Sequence, residues 1–345
     1  AIAENYRILK NKCSRDCIVS SVVKADAYGI GISKVAPALA NAGCNVFFVA
    51  NLDEALELRN ILPEVKIYVF QGGIQGQEDV FIKHKITPVL NSMYQVNLWK
   101  QYAESKQQKY PCVLHFDTGM NRLGIRYKGG ASPLNSLNLN IEYIMSHLAC
   151  ADDKDNPLTS KQLVNFQAIK EDFKNSKLSL ANSSGVFLGN NYHFDMVRSG
   201  IALYGGNPTP YTKNPMKNVI TLTSKILQIE QIDTAGTVGY GASYTLQAGT
   251  KLATIAVGYA DGYLRSLGNA GICAIDGIIV PVIGRVSMDL VTLDVTKIPD
   301  EKLQVGAEVE LIGDNIPIDL VAEKAGTIGY EILTSLGARY KRVYI

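Results

Sequence analysis

Short apolar runs alternate with segments of helical period along the first 205 residues of the chain. Eight of these runs are rich in β-branched and aromatic residues, as buried strands are: CIVSSVV ending at residue 23, NVFFVA at 45–50, KIYVF at 66–70, ITPVL at 86–90, CVLHF at 112–116, IEYIMS at 141–146, LSLA at 178–181 and FDMV at 194–197. Helical patterns lie between several of them, at 52–62, 92–105 and 160–175. This alternation predicts a parallel sheet, and eight strands are the number that closes a (β/α)8 barrel.

An open, doubly wound sheet is the alternative arrangement of the same elements. Such a sheet would bring a glycine-rich phosphate turn after one of its strands. Neither GxGxxG nor GxxxxGK occurs in the chain. The pattern therefore favours the barrel.

The pattern changes after residue 215. Runs such as KLATIAVGY and VSMDLVTLDV are separated by Gly, Asp and Pro, without helices of comparable length between them. This is typical of an antiparallel β domain. The predicted fold class is α/β, with a (β/α)8 barrel over residues 1–215 followed by a mostly antiparallel β domain over residues 216–345.

Composition narrows the choice of partners and compartment. Hydrophobic residues make up 47% and charged residues 19% of the chain, as in soluble globular proteins, and a net charge of +2 gives no reason to expect a nucleic-acid partner. No apolar run is long enough to cross a membrane, and we find no secretory signal. The six cysteines are scattered and the four histidines lack metal-ligand spacing, so we expect reduced thiols, no metal and a cytoplasmic location. The first residues, AIAENYRILKNK, have the pattern of a helix already under way, which predicts an upstream segment.

Polar side chains follow every predicted strand of the barrel. The chemistry of (β/α)8 barrels lies at the carboxyl ends of their strands, although strand ends are also polar simply because loops meet water. Solvent exposure of the loops alone does not account for a lysine, a histidine and two arginines on one rim. The residues at these positions are Lys24, Asn51, Gln71, Asn91, Asp117, Arg122, His147, Asn182, Ser183, Arg198 and Gly200.

The region after strands seven and eight indicates a phosphate site. Barrels often bind phosphate there through backbone N–H groups and small hydroxyl residues, and the sequence supplies Ser183, Ser184 and Gly200. A lysine on the rim, a phosphate site opposite and no metal ligands together suggest pyridoxal phosphate, bound to Lys24 as a Schiff base. A structural ion pair between Lys24 and Asp26 is the simpler alternative.

Eight stretches of the chain carry a resemblance to a known family: VVKADAYGIG at 22–31, DTGMNRLG at 117–124, SHLACAD at 146–152, ANSSG at 181–185, RSGIALYG at 198–205, VGYGASY at 238–244, VGYADGY at 257–263 and GRVSMD at 284–289. In these stretches and their order, the chain resembles the alanine racemases, fold-type III pyridoxal-phosphate enzymes, over essentially its whole length. The resemblance implies interconversion of L- and D-alanine, which supplies D-alanine for peptidoglycan. It also implies a cytoplasmic homodimer with active sites shared between subunits.

The resemblance also implies a role for each matching residue. Lys24 would bind the cofactor covalently and serve as one acid/base, and Tyr240 of the partner subunit would be the other, on the opposite face. Racemisation needs a base on each face of a planar carbanion, because one base alone tends to return the proton to its original side. Arg198 would hydrogen-bond the pyridine nitrogen, and His147 would lie against the ring and link Arg198 to Tyr240.

The remaining implied contacts are with the cofactor's phosphate and the substrate. Arg122 would contact the cofactor phenolate and the substrate carboxylate, the latter together with the backbone of Met288, and Tyr259 would narrow the entrance. The phosphate would be held by four residues with Asn182 beside them, namely Tyr28, Ser183, Gly200 and Ile201.

The sequence departs from the common family pattern at several positions. His115 stands where a carbamylated lysine often supports the rim arginine, and Ser287 replaces a frequent cysteine. KADAYGIG replaces KANAYGHG, so that Asp26 and Ile30 differ as well. Ala338 stands where some members offer a tail tyrosine to the phosphate, which leaves one phosphate contact and part of the entrance open.

Three alternative functions remain beside alanine racemisation. The nearest is a serine or broad-specificity amino-acid racemase on the same scaffold. A related barrel decarboxylase would place an acidic residue at the pyridine nitrogen, where this chain has Arg198. A non-catalytic pyridoxal-phosphate carrier would lack the second domain, whereas this chain has residues 216–345 and VGYGASY.

Overall fold

The chain folds into two compact units in the computed structural model, which describes residues 1–127, 139–173 and 176–345. The first unit comprises Ala1–Leu203 and Asn207–Lys217, and the second comprises Tyr204–Gly206 and Asn218–Ile345.

A parallel sheet of eight main strands forms the first unit. The strands follow the order β8-β7-β5-β4-β3-β2-β1-β9, and the short strand β6 pairs with β5 outside this path. Their bounds are β1 Ile18–Val22, β2 Val46–Val49, β3 Lys66–Val69, β4 Ile86–Leu90, β5 Pro111–Asp117, β6 Ile125–Arg126, β7 Asn140–Met145, β8 Lys177–Ser179 and β9 Met196–Ser199.

The sheet curls into a nearly closed (β/α)8 barrel, which confirms the predicted fold of this part. Its end strands β8 and β9 lie side by side, because Asp195 N–H donates to Leu178 O at 3.1 Å and Arg198 N–H donates to Ala181 O at 2.9 Å. Each of the eight predicted runs coincides with one main strand to within about two residues. All eight carboxyl ends therefore meet at one rim.

Helices connect the strands and cover the barrel. The helices α4 and α6 begin at asparagine and serine caps, whose side chains accept from backbone N–H groups of the first turn. Their inward residues recur every three or four positions, as Val96, Trp99 and Ala103 do in α6. The bounds are α1 Ile2–Lys12, α2 Lys24–Tyr28, α3 Ile32–Asn41, α4 Leu52–Ile61, α5 Glu78–Lys83, α6 Met93–Ser105 and α7 Pro157–Asp172. The last two residues of the helix predicted over 160–175 lie outside the described residues.

The second unit is an antiparallel β structure, as predicted. Six strands close into a barrel in the order β10-β13-β16-β15-β14-β17, and β11 pairs with β12 as a separate hairpin. Val238, Leu246 and Ile283 form one of its buried clusters. The bounds are β10 Leu222–Gln231, β11 Gly236–Thr237, β12 Thr245–Leu246, β13 Lys251–Ile255, β14 Ile272–Ile275, β15 Ile278–Ile283, β16 Val291–Asp294, β17 Glu308–Ile312, α8 Ile318–Ala325 and α9 Gly329–Ser335.

Candidate active site

Lys24 opens the loop after β1, at the carboxyl rim of the barrel. The side chain is half-buried, and its Nζ lies 5.9 Å from the centroid of the Phe70 ring, within the range of a cation–π contact. Burial and the positive charge of Arg122 lower the pKa of Lys24, while Glu54 acts in the opposite direction. No ion pair of Lys24 with Asp26 occurs in the part of the chain that the structure describes. The rim environment therefore favours the neutral amine relative to water.

The turn that follows Lys24 is left-handed. Ala25, Asp26, Ala27 and Tyr28 have φ values of 53°, 52°, 53° and 56°, and Gly29 continues the turn at 79°. Non-glycine residues pay roughly 1–2 kcal/mol each for this conformation, and strain of this kind concentrates at functional sites. The surroundings of α2 must therefore hold it in place.

Arg198, on β9, is a buried cation without a carboxylate partner among the described residues. Its Nη1 donates to Ser179 Oγ at 2.6 Å, and its Nη2 donates to the carbonyls of Ser146 at 2.5 Å and Leu180 at 3.2 Å. Within the described chain its Nε has no hydrogen-bond partner. Burial lowers the pKa of Arg198 to about 9, so the guanidinium stays charged at neutral pH and keeps one unused donor.

His147 follows β7 and contacts Arg198. Nη2 of Arg198 lies 3.3 Å from His147 Nδ1, and since a guanidinium can only donate, Nδ1 must accept. Burial, followed by the charges of Arg198 and Arg122, holds the pKa of His147 well below its usual value. The imidazole is therefore neutral and carries its proton on Nε2.

Gln162, a buried residue of α7, fixes the segment that carries His147. Its Nε2 donates to His147 O at 2.8 Å and to Thr118 Oγ1 at 3.3 Å, and its Oε1 accepts from Ala149 N–H at 2.8 Å. Thr118 Oγ1 in turn lies 2.8 Å from Ser146 Oγ. The amide of Gln162 thus connects the loops after β5 and β7.

His115 lies inside the barrel on β5, 7% exposed. Its Nδ1 is 2.8 Å from Asn91 Oδ1, and Asn91 Nδ2 donates to the carbonyls of Phe70 and Val89 at 2.8 and 2.9 Å. These bonds orient the amide, so Oδ1 accepts and Nδ1 of His115 carries the proton. Burial, with a further contribution from Arg198, lowers the pKa of His115 to about 4. His115 is thus a neutral imidazole with a free lone pair on Nε2.

The loop after β5 carries Arg122 at the same rim. Asp117 Oδ1 accepts from the backbone N–H groups of Gly119, Met120 and Asn121 at 2.9, 2.9 and 3.1 Å. These three backbone hydrogen bonds to one carboxylate oxygen hold the loop after β5 in a tight turn around the Asp117 side chain. Arg122 is exposed, and its charge contributes, after burial, to the lowered pKa of Lys24 and of His147.

The segments after β8 and β9 contact each other at the predicted phosphate site. Ser183 Oγ accepts from the backbone N–H groups of Gly200 at 2.8 Å and Ala202 at 3.3 Å, on either side of Ile201. A Cβ at Gly200 would overlap the hydroxyl of Tyr28, so these two residues touch. Four of the predicted phosphate ligands, Tyr28, Ser183, Gly200 and Ile201, therefore lie together.

Asn182 has a local role in the same segment. Its Oδ1 accepts from Gly185 N–H at 3.0 Å, and its Nδ2 donates to Leu148 O at 3.3 Å. These bonds fix the start of the segment beside Ser183.

Three predicted site residues belong to the second unit. Tyr240 begins a 3-10 turn and is 73% exposed. Tyr259 and Met288 are also exposed, and their loops are joined because Tyr259 N–H donates to Ser287 O and Ala260 N–H donates to Met288 O, both at 3.0 Å. Within this unit the predicted entrance residue Tyr259 and the predicted substrate-binding residue Met288 thus lie on neighbouring loops, and the Tyr240 side chain is exposed.

The carboxyl-terminal segment is fixed by ion pairs in the second unit. Arg339 Nε lies 3.0 Å from Asp261 Oδ1, and its Nη1 lies 2.7 Å from Asp289 Oδ1. Asp261 is buried, and its other oxygen accepts from Gly258 N–H at 2.9 Å. Ala338, the tail position at which the sequence leaves one phosphate contact open, is exposed beside Arg339.

Sequence reasoning did not find Glu54 or Gln162. Glu54 stands three positions after Asn51, which is the spacing of a capping box, so a helix-start signal was present. Gln162 lies in the middle of α7 and has no local signal.

Over the described ranges, no group of three or more His, Cys, Asp or Glu is placed to hold a metal ion, and no helix is long and apolar enough to span a membrane.

The fold and this rim define a barrel protein with its chemistry at the carboxyl ends of the strands, followed by an antiparallel β unit. Residues 1–208 match the family model described as alanine racemase, N-terminal domain, and residues 219–344 match alanine racemase, C-terminal domain. The chain belongs to the alanine racemase family, a family of isomerases.

Individual relatives agree with this over the full chain. The alanine racemase of Rhodospirillum rubrum is 45% identical over 100% of this chain and 93% of its own length, and that of Rhizobium meliloti is 42% identical over 100% and 94%. Among solved structures, alanine racemase from Bartonella henselae with covalently bound pyridoxal phosphate is 41% identical, with a TM-score of 0.94 over 100% of this chain and 97% of that one. The biosynthetic alanine racemase from Pseudomonas aeruginosa is 30% identical, with a TM-score of 0.91 over 100% and 96%.

Proposed function

We propose that the protein interconverts L- and D-alanine with pyridoxal phosphate by a two-base mechanism. The observation that carries the proposal is the buried, charged Arg198 with an unused Nε donor, on the strand β9 that pairs with β1, after which Lys24 follows. An acceptor such as a pyridine nitrogen would satisfy this donor, whereas a carboxylate at that position would hold the ring nitrogen protonated. Family membership favours alanine as the substrate.

The rim residues fit pyridoxal phosphate on three points. Arg198 offers Nε to the ring nitrogen, and Lys24 offers an amine whose pKa is lowered by burial and by Arg122. The backbone N–H of Ile201, with the hydroxyls of Ser183 and Tyr28, would supply N–H and O–H donors of the kind that bind phosphate, and Gly200, whose own N–H donates to Ser183 Oγ, would lie against it. The tight contact of Gly200 with Tyr28 leaves no room for a side chain there.

The chain's own residues would orient the reactants and move the proton. When bound, the cofactor supplies an electron sink for the pair left on the substrate Cα. Arg198 would leave the ring nitrogen largely unprotonated and so limit that sink, which disfavours side reactions such as transamination. Lys24 would hold the cofactor covalently and exchange the Cα proton on one face.

Tyr240 of the partner subunit would exchange the proton on the other face. Its phenol is largely exposed in the single chain, so a second copy could receive it. Arg122, together with the backbone of Met288, would bind the substrate carboxylate, and Tyr259 would narrow the entrance. His147 would link Arg198 to the tyrosine, and its Nε2–H is the donor available for this.

We further propose a cytoplasmic homodimer that supplies D-alanine for peptidoglycan. This physiological role follows from the product of the reaction, since D-alanine is a building block of that polymer.

The first test is the Lys24→Ala variant. We expect it to lose racemisation and the visible absorbance of the bound cofactor, because the covalent link and one base are removed together. Parent-like absorbance and racemisation in this variant would refute the assignment. Lys34, an exposed lysine of α3, provides the matched control Lys34→Ala, which should keep both properties.

A substrate panel separates alanine racemisation from the broad-specificity alternative. The purified holoenzyme should racemise L-alanine with a kcat/KM well above that for L-serine or L-lysine. Comparable values on serine or lysine would overturn the choice of alanine while leaving the racemase assignment intact.

A further inference from the structure

The carboxylate of Glu54 connects the loops that follow β1 and β2. Its Oε1 accepts from Ala25 N–H and its Oε2 accepts from Ala50 N–H, each at 2.7 Å. Ala25 is the residue directly after Lys24, and Ala50 is the residue directly after β2. One side chain thus clamps two neighbouring strand ends at the rim.

The clamp is itself held by the start of α4. Glu54 lies in the first turn of that helix, and its own N–H donates to the capping oxygen of Asn51 at 3.0 Å. A carboxylate near a helix N-terminus is electrostatically favourable. The position of Glu54 is therefore set by a rigid element, and the loop after β1 adapts to it.

The loop after β1 contains the strained backbone. Ala25 opens the left-handed turn with φ at 53°, and Ala27 and Gly29 continue it through backbone bonds to Val23 O and Ala25 O at 2.9 and 2.8 Å. Those bonds leave Glu54 as the partner of Ala25 N–H within the described residues. Charge-assisted bonds of this length are roughly twice as strong as neutral ones, so the bond to Ala25 N–H offsets part of the conformational cost of the turn.

We propose that Glu54 is a positioning residue for Lys24: by binding Ala25 N–H and Ala50 N–H together, it holds the left-handed turn and so fixes where the lysine side chain leaves the barrel rim. The inference rests on the proposed function in that Lys24 is taken as the covalent and acid/base residue. In this proposal Glu54 acts through the backbone of the two loops, which its carboxylate binds. Asp53, its exposed neighbour in sequence, makes no such bond within the part of the chain that the structure describes.

The first measurement is amide hydrogen exchange in Glu54→Gln, resolved to single residues in the full-length protein. Glutamine keeps one acceptor oxygen but turns an N–H2 donor toward the second amide, so one of the two bonds must break. We expect exchange at Ala25 or Ala50 to accelerate about tenfold or more. Glu57→Gln, one turn later on the exposed face of α4, is the matched control and should exchange like the parent at both positions.

The second measurement is the pH dependence of Lys24 acylation by a small amine-reactive anhydride in the full-length protein freed of cofactor, followed by mass spectrometry. Glu54→Gln should shift this profile to lower pH, because the negative charge that raises the pKa of Lys24 is lost. Glu54→Asp keeps the charge but is too short to reach both amides, so its profile should stay closer to that of the parent. In the holoenzyme both variants should lose about tenfold in kcat with KM changed by less than about threefold.

Three results would overturn the inference. They are parent-like exchange at both amides in both variants, faster exchange with an unchanged Lys24 profile and kcat, and equal effects in Glu57→Gln. If the parent protein fails to racemise any amino acid, the proposed function is wrong, but the exchange and acylation data still decide whether Glu54 positions Lys24.

Discussion

Individual side chains at the barrel rim combine a buried cation with two neutral imidazoles. Arg198 donates to His147 and lowers the pKa of both His147 and His115. Asn91 adds a second constraint by fixing the tautomer of His115. Burial, followed by the charge of Arg198, therefore keeps both histidines uncharged.

This arrangement predicts a pH dependence of stability from His115. Its pKa falls from 6.5 to about 4 in the folded protein, so between these values the unfolded chain binds more protons and stability decreases as the pH is lowered. The contribution is roughly 3 kcal/mol at most. In urea titrations at pH 7 and 4.5, His115→Gln should show a smaller loss of unfolding free energy over this interval than the parent does. An unchanged pH dependence in that variant would contradict the assignment of His115 as a buried neutral imidazole.

Tyr240, the second of the two proposed bases, gives another prediction for a single residue. Tyr240→Phe removes the hydroxyl of an exposed side chain, so folding and cofactor absorbance should stay as in the parent. Proton abstraction from one enantiomer of alanine should slow by about a hundredfold or more, since one general base is lost. Exchange of the Cα hydrogen with solvent, measured for each enantiomer separately, reports this. Equal losses for both enantiomers would argue against one base per face.

Most of the rim could be predicted from position alone. Lys24, His147 and Arg198 each stand where an apolar run ends, and parallel strands bring such ends together. Glu54 and Gln162 could not be placed this way, because their bonds join loops that are distant in sequence.

Among the larger elements, α2 differs most from what its sequence suggests. Ala, Asp and Ala favour a right-handed turn, but the tertiary bonds of Ala25 and Asp26 hold the opposite hand. The strands were predictable because buried β-branched runs are a strong signal, whereas β6 spans only Ile125–Arg126 and is too short to give one. Closure of the second unit depends on pairings between distant strands, which no local pattern reveals.

The left-handed turn can be tested by paired glycine substitutions. Ala168→Gly, at an exposed position inside α7, should cost about 1 kcal/mol, as in any right-handed helix. Ala25→Gly should cost less than this or stabilise the protein, because glycine adopts positive φ freely. Chemical unfolding of both variants gives the comparison. An equal cost at the two positions would mean that Ala25 is not held in the left-handed region.

Arg59 gives an element-level prediction at the end of α4. Its guanidinium donates to five backbone carbonyl oxygens, those of Leu62, Pro63, Val65, His84 and Lys85, at 2.7 to 3.3 Å. A lysine has three donors and no planar fork, so Arg59→Lys should lower the free energy of unfolding by about 2 kcal/mol. Arg7→Lys, at an exposed position of α1, should have no measurable effect. Similar stabilities of the two variants would show that the carbonyls are satisfied by water.

For the whole molecule, the proposed bases lie in different compact units of the chain. Lys24 belongs to the parallel barrel and Tyr240 to the antiparallel unit. If each active site takes its tyrosine from the partner subunit, two inactive variants should complement each other. Mixing unfolded Lys24→Ala and Tyr240→Phe chains and refolding them should restore about a quarter of parental activity, since half of the dimers are mixed and each mixed dimer has one intact site. No recovery, with mixed dimers verified by mass, would place both bases in one chain.

The handedness of the turn after Lys24 also bears on chirality. Positive φ is the natural region of D-residues, since mirror-image sterics apply to them. Ala25 and Ala27 hold that region as L-residues. A D-alanine introduced at either position by chemical ligation would thus relax a backbone that the encoded L-alanine strains. The segment that follows Lys24 therefore has the φ values that D-alanine residues prefer, in a protein proposed to produce D-alanine.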